Sequence, residues 1–384
     1  MAAGTVKALQ VDGDQPWEQL RRFRTACADW IFGHFSYDLK EGASGENAGQ
    51  PDGIGFPRLF FFQPEILILW QKDALRIGVA GAKGSAAAKV VFDQIRQRPA
   101  DPLVPPSPEL NWQTRMSRQQ YLDAVRRLQQ HLQRGDAYEI NFCREFFAEN
   151  VTLAPSALFE RLNRLSPAPF AAYYRVGDRH LLCSSPERFL QKNGPVVISQ
   201  PIKGTAPRGK NAREDELYKS ALSASAKERS ENVMAVDLVR NDLSRTALPG
   251  TVRVKELFGV YSFPQVHQLI TTIEARVDPG VAPEEIISHA FPMGSMTGAP
   301  KHRVLQLIDA HERTRRGIYS GALGYFTPAG DFDFNVVIRS LAYHAANRYL
   351  SFQTGSGITI YSDPERELEE CLLKGRAMQR AVQG

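Results

Sequence analysis

The residues of this chain that could do chemistry together are a lysine, two pairs of glutamates and an arginine. Lys203 lies in Gln200-Pro201-Ile202-Lys203-Gly204-Thr205-Ala206-Pro207-Arg208-Gly209, after the β-branched run Val196-Val197-Ile198. That run reads as a strand. Pro201, Gly204, Pro207 and Gly209 break regular structure, which predicts Lys203 where a strand runs into a tight loop. Lysine is a nucleophile only when neutral, which needs a desolvated or cation-rich pocket. The stretch alone also leaves open a solvated loop lysine.

Glu228 and Glu231 stand three apart on one predicted helix and share a face, and Glu367 and Glu370 repeat the spacing on the last helix. Facing one cavity, such pairs make a hard oxygen site suited to Mg²⁺. Two solvated helix faces would look the same, and Glu370 with Lys374 also fits a routine i,i+4 surface pair. Gly355-Ser356-Gly357 closes a strand and could present backbone N–H groups to an anion. Arg339, among Val336, Val337, Ile338 and Leu341, is either an outward-facing charge or a carboxylate clamp.

The elements that must position these groups read in order as follows. Strands are predicted at 59–62, 65–70 and 75–80, after a Gly/Ser/Asn-rich loop at 41–55 that reads as flexible. The stiff run Asp101-Pro102-Leu103-Val104-Pro105-Pro106-Ser107-Pro108 marks a boundary, giving an N-terminal region 1–110 and a main region 111–384. Ser117 and Gln120 form a capping box for a helix with Leu122, Val125, Leu128 and Leu132 on one face, ended by Gly135. Further helices are predicted at 158–165, 214–224, 227–243, 300–317 and 364–382. Strands are expected at 138–148, 170–176, 180–184, 252–256, 269–275, 322–326, 335–343 and 349–353. Strands come in runs rather than alternating with helices, so the fold class is α+β.

Bulk properties narrow the function. The 384 residues are 43% hydrophobic and 23% charged, as in a globular enzyme, and 47 basic against 42 acidic residues leave a net charge of +5. No long basic block points to nucleic acid. No apolar run approaches a membrane span, and residues 1–14 carry no signal-like pattern. Cys27, Cys143, Cys183 and Cys371 are scattered without CxxC spacing, which argues against zinc and disulfides and for a cytoplasmic setting.

Taken together, several segments resemble the chorismate-utilising enzymes, the family of anthranilate, aminodeoxychorismate and isochorismate synthases. They are Ser185-Pro186-Glu187-Arg188-Phe189, Pro201-Ile202-Lys203-Gly204-Thr205, Glu231-Asn232 with Val236-Asp237-Leu238-Val239-Arg240-Asn241-Asp242, Gly294-Ser295-Met296-Thr297-Gly298-Ala299-Pro300-Lys301, Gly321-Ala322-Leu323-Gly324-Tyr325-Phe326 and Gly355-Ser356-Gly357. The match runs collinearly over about residues 115–380. The fold it implies is two large antiparallel β-sheets packed as a sandwich with helices outside, to which region 1–110 contributes strands.

The resemblance implies Mg²⁺ held by Glu231 and Glu370, with Glu228 and Glu367 as outer helpers, gripping the ring carboxylate of chorismate. It implies that Tyr325, Arg339 and the backbone of Gly355, Ser356 and Gly357 hold the substrate's carboxylates. Lys374 would add positive charge, and Gly204 and Thr205 would line the ring. Glu187 would be the general acid for the departing C4 hydroxyl, a role that suits a carboxyl raised by desolvation. Lys203 would add at C2 and then be expelled by ammonia attacking C4, giving 4-amino-4-deoxychorismate for 4-aminobenzoate and folate synthesis. A neighbouring Mg²⁺ and Lys374 would help keep that lysine neutral.

Anthranilate-type members usually carry alanine at the lysine position and a histidine where this chain has Gln268, with His267 one residue earlier. Strand alternation would turn His267 to the other face. Isochorismate-type members carry a water-activating lysine, and amine users glutamine, where this chain has Glu139. Ammonia is expected from a separate glutamine amidotransferase subunit. The alternatives are an anthranilate synthase component and, in another class, a non-catalytic chorismate- or partner-binding protein.

Overall fold

A computed structural model of the chain describes residues 1–40, 49–81, 85–97, 110–264 and 266–383. The proposed boundary at 101–108 and most of the 41–55 loop lie outside the described residues. In chain order the elements are β1 (Ala2–Ala3), β2 (Lys7–Val11), α1 (Pro16–Cys27), β3 (Ile31–Phe35), β4 (Leu59–Gln63), β5 (Ile66–Gln71), β6 (Ala74–Val79), α2 (Ala86–Gln97), β7 (Gln113–Thr114) and α3 (Arg118–Gln133). Next come β8 (Glu139–Ala148), α4 (Pro155–Leu165), β9 (Phe170–Val176), β10 (Arg179–Ser185), β11 (Arg188–Asn193), β12 (Val196–Gln200), β13 (Ile202–Pro207), α5 (Ala212–Ala224), α6 (Ala226–Ser244), β14 (Arg253–Ser262) and β15 (Val266–Arg276). The last are α7 (Pro283–Ala290), β16 (Gly298–Ala299), α8 (Lys301–His311), β17 (Ala322–Phe326), β18 (Phe332–Asn335), β19 (Ser340–His344), β20 (Tyr349–Ile358) and α9 (Pro364–Gln383).

Two large antiparallel sheets dominate. One has ten strands in the order β13-β15-β12-β11-β18-β17-β3-β4-β2, with β14 also on β15. The other has seven, β16-β8-β20-β19-β10-β9, with β7 also on β8. The N-terminal strands belong to the larger sheet: β3 pairs with β17, Phe35 lying opposite Ala322. A small third sheet, β1-β5-β6, stands apart.

The layering follows from what each face buries. Phe147, Tyr174, Leu181, Cys183 and Tyr349 of the seven-stranded sheet share a core with Phe60, Phe62 and Leu323 of the ten-stranded one, the filling of the sandwich. On the outer side of the smaller sheet, Tyr121, Leu122, Val125 and Leu128 of α3 pack with Leu307 and Ile308 of α8, Cys371 of α9 and Phe142 of β8. On the outer side of the larger one, Leu20 of α1, Val236 and Val239 of α6, and Ile286 and Ile287 of α7 pack with Phe334 and Ile273. Every residue of β8 is buried, since both of its faces are covered.

The Ser117–Gln120 capping box forms as expected, worth about 1 kcal/mol to α3. Other expectations need correction. The strand foreseen over 335–343 breaks into β18 in one sheet and β19 in the other, so 336–339 is a crossover between layers. The helix foreseen to reach Gly317 ends at His311, where Glu312 turns extended at φ −69° and ψ 154°. Lys203 does not sit in a loop. It lies within β13, where Gly204 at φ 96° supports a bulge that sequence punctuation alone reads as a strand end.

Candidate active site

The bulge sets the position of Lys203. Ile202 pairs with Ile270 but Thr205 with Gln268, so one extra residue is fitted between them on β13. A side chain at Gly204 would come within 2.9 Å of Glu228, so β13 can lie this close to α6 only with glycine there. The Lys203 amine forms an ion pair with Glu139 of β8, joining one large sheet to the other; the two side chains are 12% and 4% exposed. Burial alone would lower the lysine's pKa. Glu139, Glu231 and Glu187 outweigh burial and carry it above its ordinary value. Its carboxylate neighbours thus favour the ammonium form.

Glu187 stands between β10 and β11 with 4% of its surface exposed. Burial raises its pKa to about 7, against hydrogen bonding from Ser295, the charge of Lys203 and a backbone bond at Ile202. A narrow space beside it is lined, among others, by Ser199, Val239, Asp242, Ala290 and Ser295. Ser295 sits in a short 3-10 turn, Gly294–Met296, which is clamped from two sides. Asn141 Nδ2 donates to the Ser295 carbonyl at 2.9 Å, and Arg316 Nη1 to that of Met296 at 2.7 Å. Arg316 also donates to the Asn141 carbonyl at 2.8 Å and pairs with Glu312 at 2.6 Å. On the other side Lys301 bridges Asp242 at 2.7 Å and the Ala290 carbonyl at 3.1 Å. Sequence reading missed this clamp, since Glu312 and Arg316 at i,i+4 look like an ordinary helix surface pair.

The four glutamates do gather, with lysines among them. Lys374 Nζ lies 2.7 Å from Glu370 and donates to the Gly355 carbonyl at 2.8 Å, while Lys227 lies 3.7 Å from Glu231. Burial would raise Glu370, but Lys374, Lys227 and Lys203 hold it below the usual carboxylate value. Glu231 is pushed up to about 7, by burial first and then by Glu139 and Glu228, against the pull of Lys203. Glu228 is raised by burial, and Glu367 is 4% exposed. Among the described residues no three His, Cys, Asp or Glu side chains converge into a ready-made metal cage. Oxygen-only donors with under-compensated charge at Glu231 still fit Mg²⁺, which takes one or two carboxylates and fills its shell with water and an anionic ligand.

Arg339 lies at the end of the crossover, at φ 53°. A non-glycine residue is strained there, by about 1–3 kcal/mol. Its charge interacts with Tyr319 and Glu370, and burial lowers its pKa. The Gly355 carbonyl that meets Lys374 points away from β8, and in a strand the N–H of the same residue, and of Gly357 two further on, points the same way. A side chain at Gly357 would meet Glu139 Oε1 at 2.6 Å and Lys203 Nζ at 3.4 Å, so this glycine makes room for the pair.

Three predicted substrate contacts are placed differently. The backbone of Ser356 alternates with those of Gly355 and Gly357 and points toward β8, while its hydroxyl lies 3.2 Å from Tyr121 in the core under α3 and α9. Tyr325 packs at a tilt against Trp30 and Phe32, and its charged neighbours are Asp333 and Arg188 rather than Arg339. The tyrosine beside Arg339 is Tyr319, also within 4.0 Å of Cys143. Its only sequence signal is an aromatic residue just before Ser320-Gly321, where the chain enters β17. Thr205 is exposed. On β15, His267 turns to Ser262 at 2.8 Å and Asp215 at 3.1 Å, on the face away from Gln268, whose buried Oε1 has no partner among the described residues.

Comparison with known proteins agrees with this assembly. Residues 2–380 match the family model described as chorismate binding enzyme. The chain is 34% identical over 359 residues to anthranilate synthase component 1 of Thermus thermophilus, covering 92% of this chain and 77% of that protein. It is 41% identical over 259 residues to aminodeoxychorismate synthase component 1 of Salmonella typhimurium, covering 67% of this chain and 56% of that one. The match to the chloroplastic aminodeoxychorismate synthase of Arabidopsis thaliana, 41% over 270 residues, covers 69% of this chain and 29% of that longer protein. Anthranilate synthase component I from Streptococcus pneumoniae superposes with a TM-score of 0.85 at 24% identity, over 99% of this chain and 91% of that one, which establishes the shared fold. No helix among the described residues is long and apolar enough to cross a membrane.

Proposed function

The chain belongs to the family of chorismate binding enzymes, and within it we propose that it aminates chorismate at C4 with ammonia, making 4-amino-4-deoxychorismate as an aminodeoxychorismate synthase component. The observation that carries this reading is the convergence of a buried lysine, Lys203, and a buried carboxyl, Glu187, each acting on the other's charge. A nucleophile and a proton donor close enough to feel each other's charge suit a displacement at C2 with loss of the C4 hydroxyl.

Glu187, near pH 7 able to hold its proton, donates it to the leaving hydroxyl. Lys203 forms the bond to C2 until ammonia, attacking C4, expels it. Arg339, Tyr319 and the outward N–H groups of Gly355 and Gly357 hold the substrate's carboxylates. Glu231 and Glu370, with Glu228 and Glu367 behind them, would hold Mg²⁺, whose charge offsets that of the ring carboxylate. The relatives' designation as component 1 supports a second subunit, a glutamine amidotransferase delivering ammonia.

The breadth of the Thermus thermophilus match favours a second reading, an anthranilate synthase component. Gln268 at the position where that branch has histidine, and the turn of His267 toward Asp215, count against it. The test is product analysis by mass spectrometry of the chain with chorismate, Mg²⁺ and ammonium. The expected product is 4-amino-4-deoxychorismate; release of anthranilate, or no turnover even with an added glutaminase subunit, overturns the proposal. Lys203→Ala should abolish any substrate adduct in the intact mass.

A further inference from the structure

We infer that Glu139 is the base for the lysine nucleophile, taking the proton of Lys203 as it attacks the ring and returning it as it leaves. This rests on the reading that Lys203 adds covalently to chorismate. The groups that bear on Lys203 come from every neighbouring element: Glu139 on β8, Glu187 before β11, Glu228 and Glu231 on α6, and Glu370 on α9. Glu139 is the one in hydrogen-bond contact with the amine. Glu187 has its own proton to give, and Glu228, Glu231 and Glu370 lie with Lys227 and Lys374 at the proposed cation site.

An ammonium has no lone pair with which to attack, so a lysine held charged in a closed pocket needs a proton acceptor within reach. Glu139 is 3% exposed and leans into the space left by Gly357. Glutamine at this position could accept a hydrogen bond but no proton.

The cycle closes. At rest the pair is ammonium and carboxylate. The proton passes from Nζ to Glu139, the free amine bonds to C2, the two ring double bonds shift, and the C4–O bond breaks. The departing hydroxyl takes the proton of Glu187 and leaves as water. The adduct is then a secondary ammonium, with Glu139 protonated and Glu187 ionised. Ammonia bonds to C4, the double bonds shift back, and Lys203 departs from C2 as a neutral amine. Glu139 returns its proton to the lysine, and Glu187 recovers one from the new C4 ammonium. Chorismate and ammonia have become aminodeoxychorismate and water, with both glutamates as they began.

The test is rapid-quench intact-mass measurement of adduct formation with chorismate and Mg²⁺ but no ammonia, between pH 6 and 9. Wild type should form the adduct at a rate nearly level from pH 6 to 7, since the proton moves within the pair, and falling above pH 7 as Glu187 loses the proton it must give. Glu139→Gln should form it about 10²-fold more slowly at pH 7, the low end of what a general base contributes. Relative to wild type, its rate should then climb about tenfold per pH unit as solvent removes the proton. Glu139→Asp should keep the wild-type profile at a reduced rate. A Glu139→Gln rate equal to or faster than wild type at pH 7, or a Glu139→Asp rate that climbs with pH relative to wild type, overturns the inference. So does a wild-type rate climbing tenfold per unit between pH 6 and 7, which needs no variant to fold. No adduct in wild type, or one surviving in Lys203→Ala, refutes the covalent reading beneath it instead.

Discussion

Gly357→Ala should separate the site from the fold. The backbone tolerates alanine there, since Gly357 is not among the residues at positive φ. The new methyl would meet Glu139 Oε1 at 2.6 Å and Lys203 Nζ at 3.4 Å. To reach the 3.4 Å at which ordinary contact begins, Glu139 must retreat by about 0.8 Å, and the amine it holds moves with it. Both atoms are the far ends of flexible side chains, so the fold gives way cheaply. The loss of glycine's freedom in the unfolded chain also returns about 0.4–1 kcal/mol. The melting temperature should therefore stay within about 2 °C of wild type. Catalysis should not be spared: a misplacement of about 1 Å costs roughly 10²-fold, or about 2.7 kcal/mol of transition-state stabilisation. The assay is kcat/KM for 4-amino-4-deoxychorismate beside a thermal melt. Gly355→Ala is the contrast, because its methyl would strike Cys143 Sγ at 2.5 Å and the Phe142 carbonyl oxygen at 2.9 Å. That variant should lose about 1–3 kcal/mol of stability. Wild-type kcat/KM in Gly357→Ala would refute the argument, because the lysine pair could then move without consequence.

Other outcomes follow from the same geometry. Arg339→Gly relieves the left-handed backbone at φ 53° while removing the guanidinium, so the melting temperature should hold and KM for chorismate rise at least tenfold. In the proposed mechanism Glu187 acts in its protonated form, so with its pKa raised to about 7 kcat/KM should fall as pH rises through about 7, a limb that Glu187→Gln lacks. The same raised value makes its contribution to stability full below pH 4.5 and lost as pH climbs through about 7, measurable as melting temperature against pH relative to Glu187→Gln. Glu231→Gln and Glu370→Gln should each raise the Mg²⁺ concentration for half-maximal activity about tenfold or more; an unchanged requirement removes that residue from the cation site.

Much of the architecture was legible because local chemistry and tertiary context agree. The Ser117 capping box and the apolar stripe of α3 announce a helix that packs on β8 and β20. What escaped reading depends on long-range contacts. Helix α7 is a short segment whose Ile286 and Ile287 make sense only against the larger sheet. The continuous apolar run around Arg339 gives no sign that it changes sheets at 336–339. The motifs did lead to Lys203, Glu187, Arg339 and the helix carboxylates. They could not say which tyrosine faces Arg339, because Tyr319 and Tyr325 are separated by a turn whose direction is set by Ser320 at φ 61°. Nor could they disclose the partner of Lys203, which comes from a strand of the opposite sheet.

The pairing of β3 with β17 has a consequence for biosynthesis. Phe35 bonds across to Ala322, so the larger sheet joins the first tenth of the chain to the last fifth. At about 5–20 residues per second, roughly 15–60 s pass between the ribosome's delivery of β3 and of β17. Through that interval the hairpin of β3 and β4 has one edge unpaired, with Phe32 lacking Tyr325 and Phe60 and Phe62 lacking the sandwich core they later join. Such distant pairing is slow to form and open to aggregation. The yield of soluble enzyme should therefore depend on chaperone supply during translation more steeply than the finished molecule's stability would indicate.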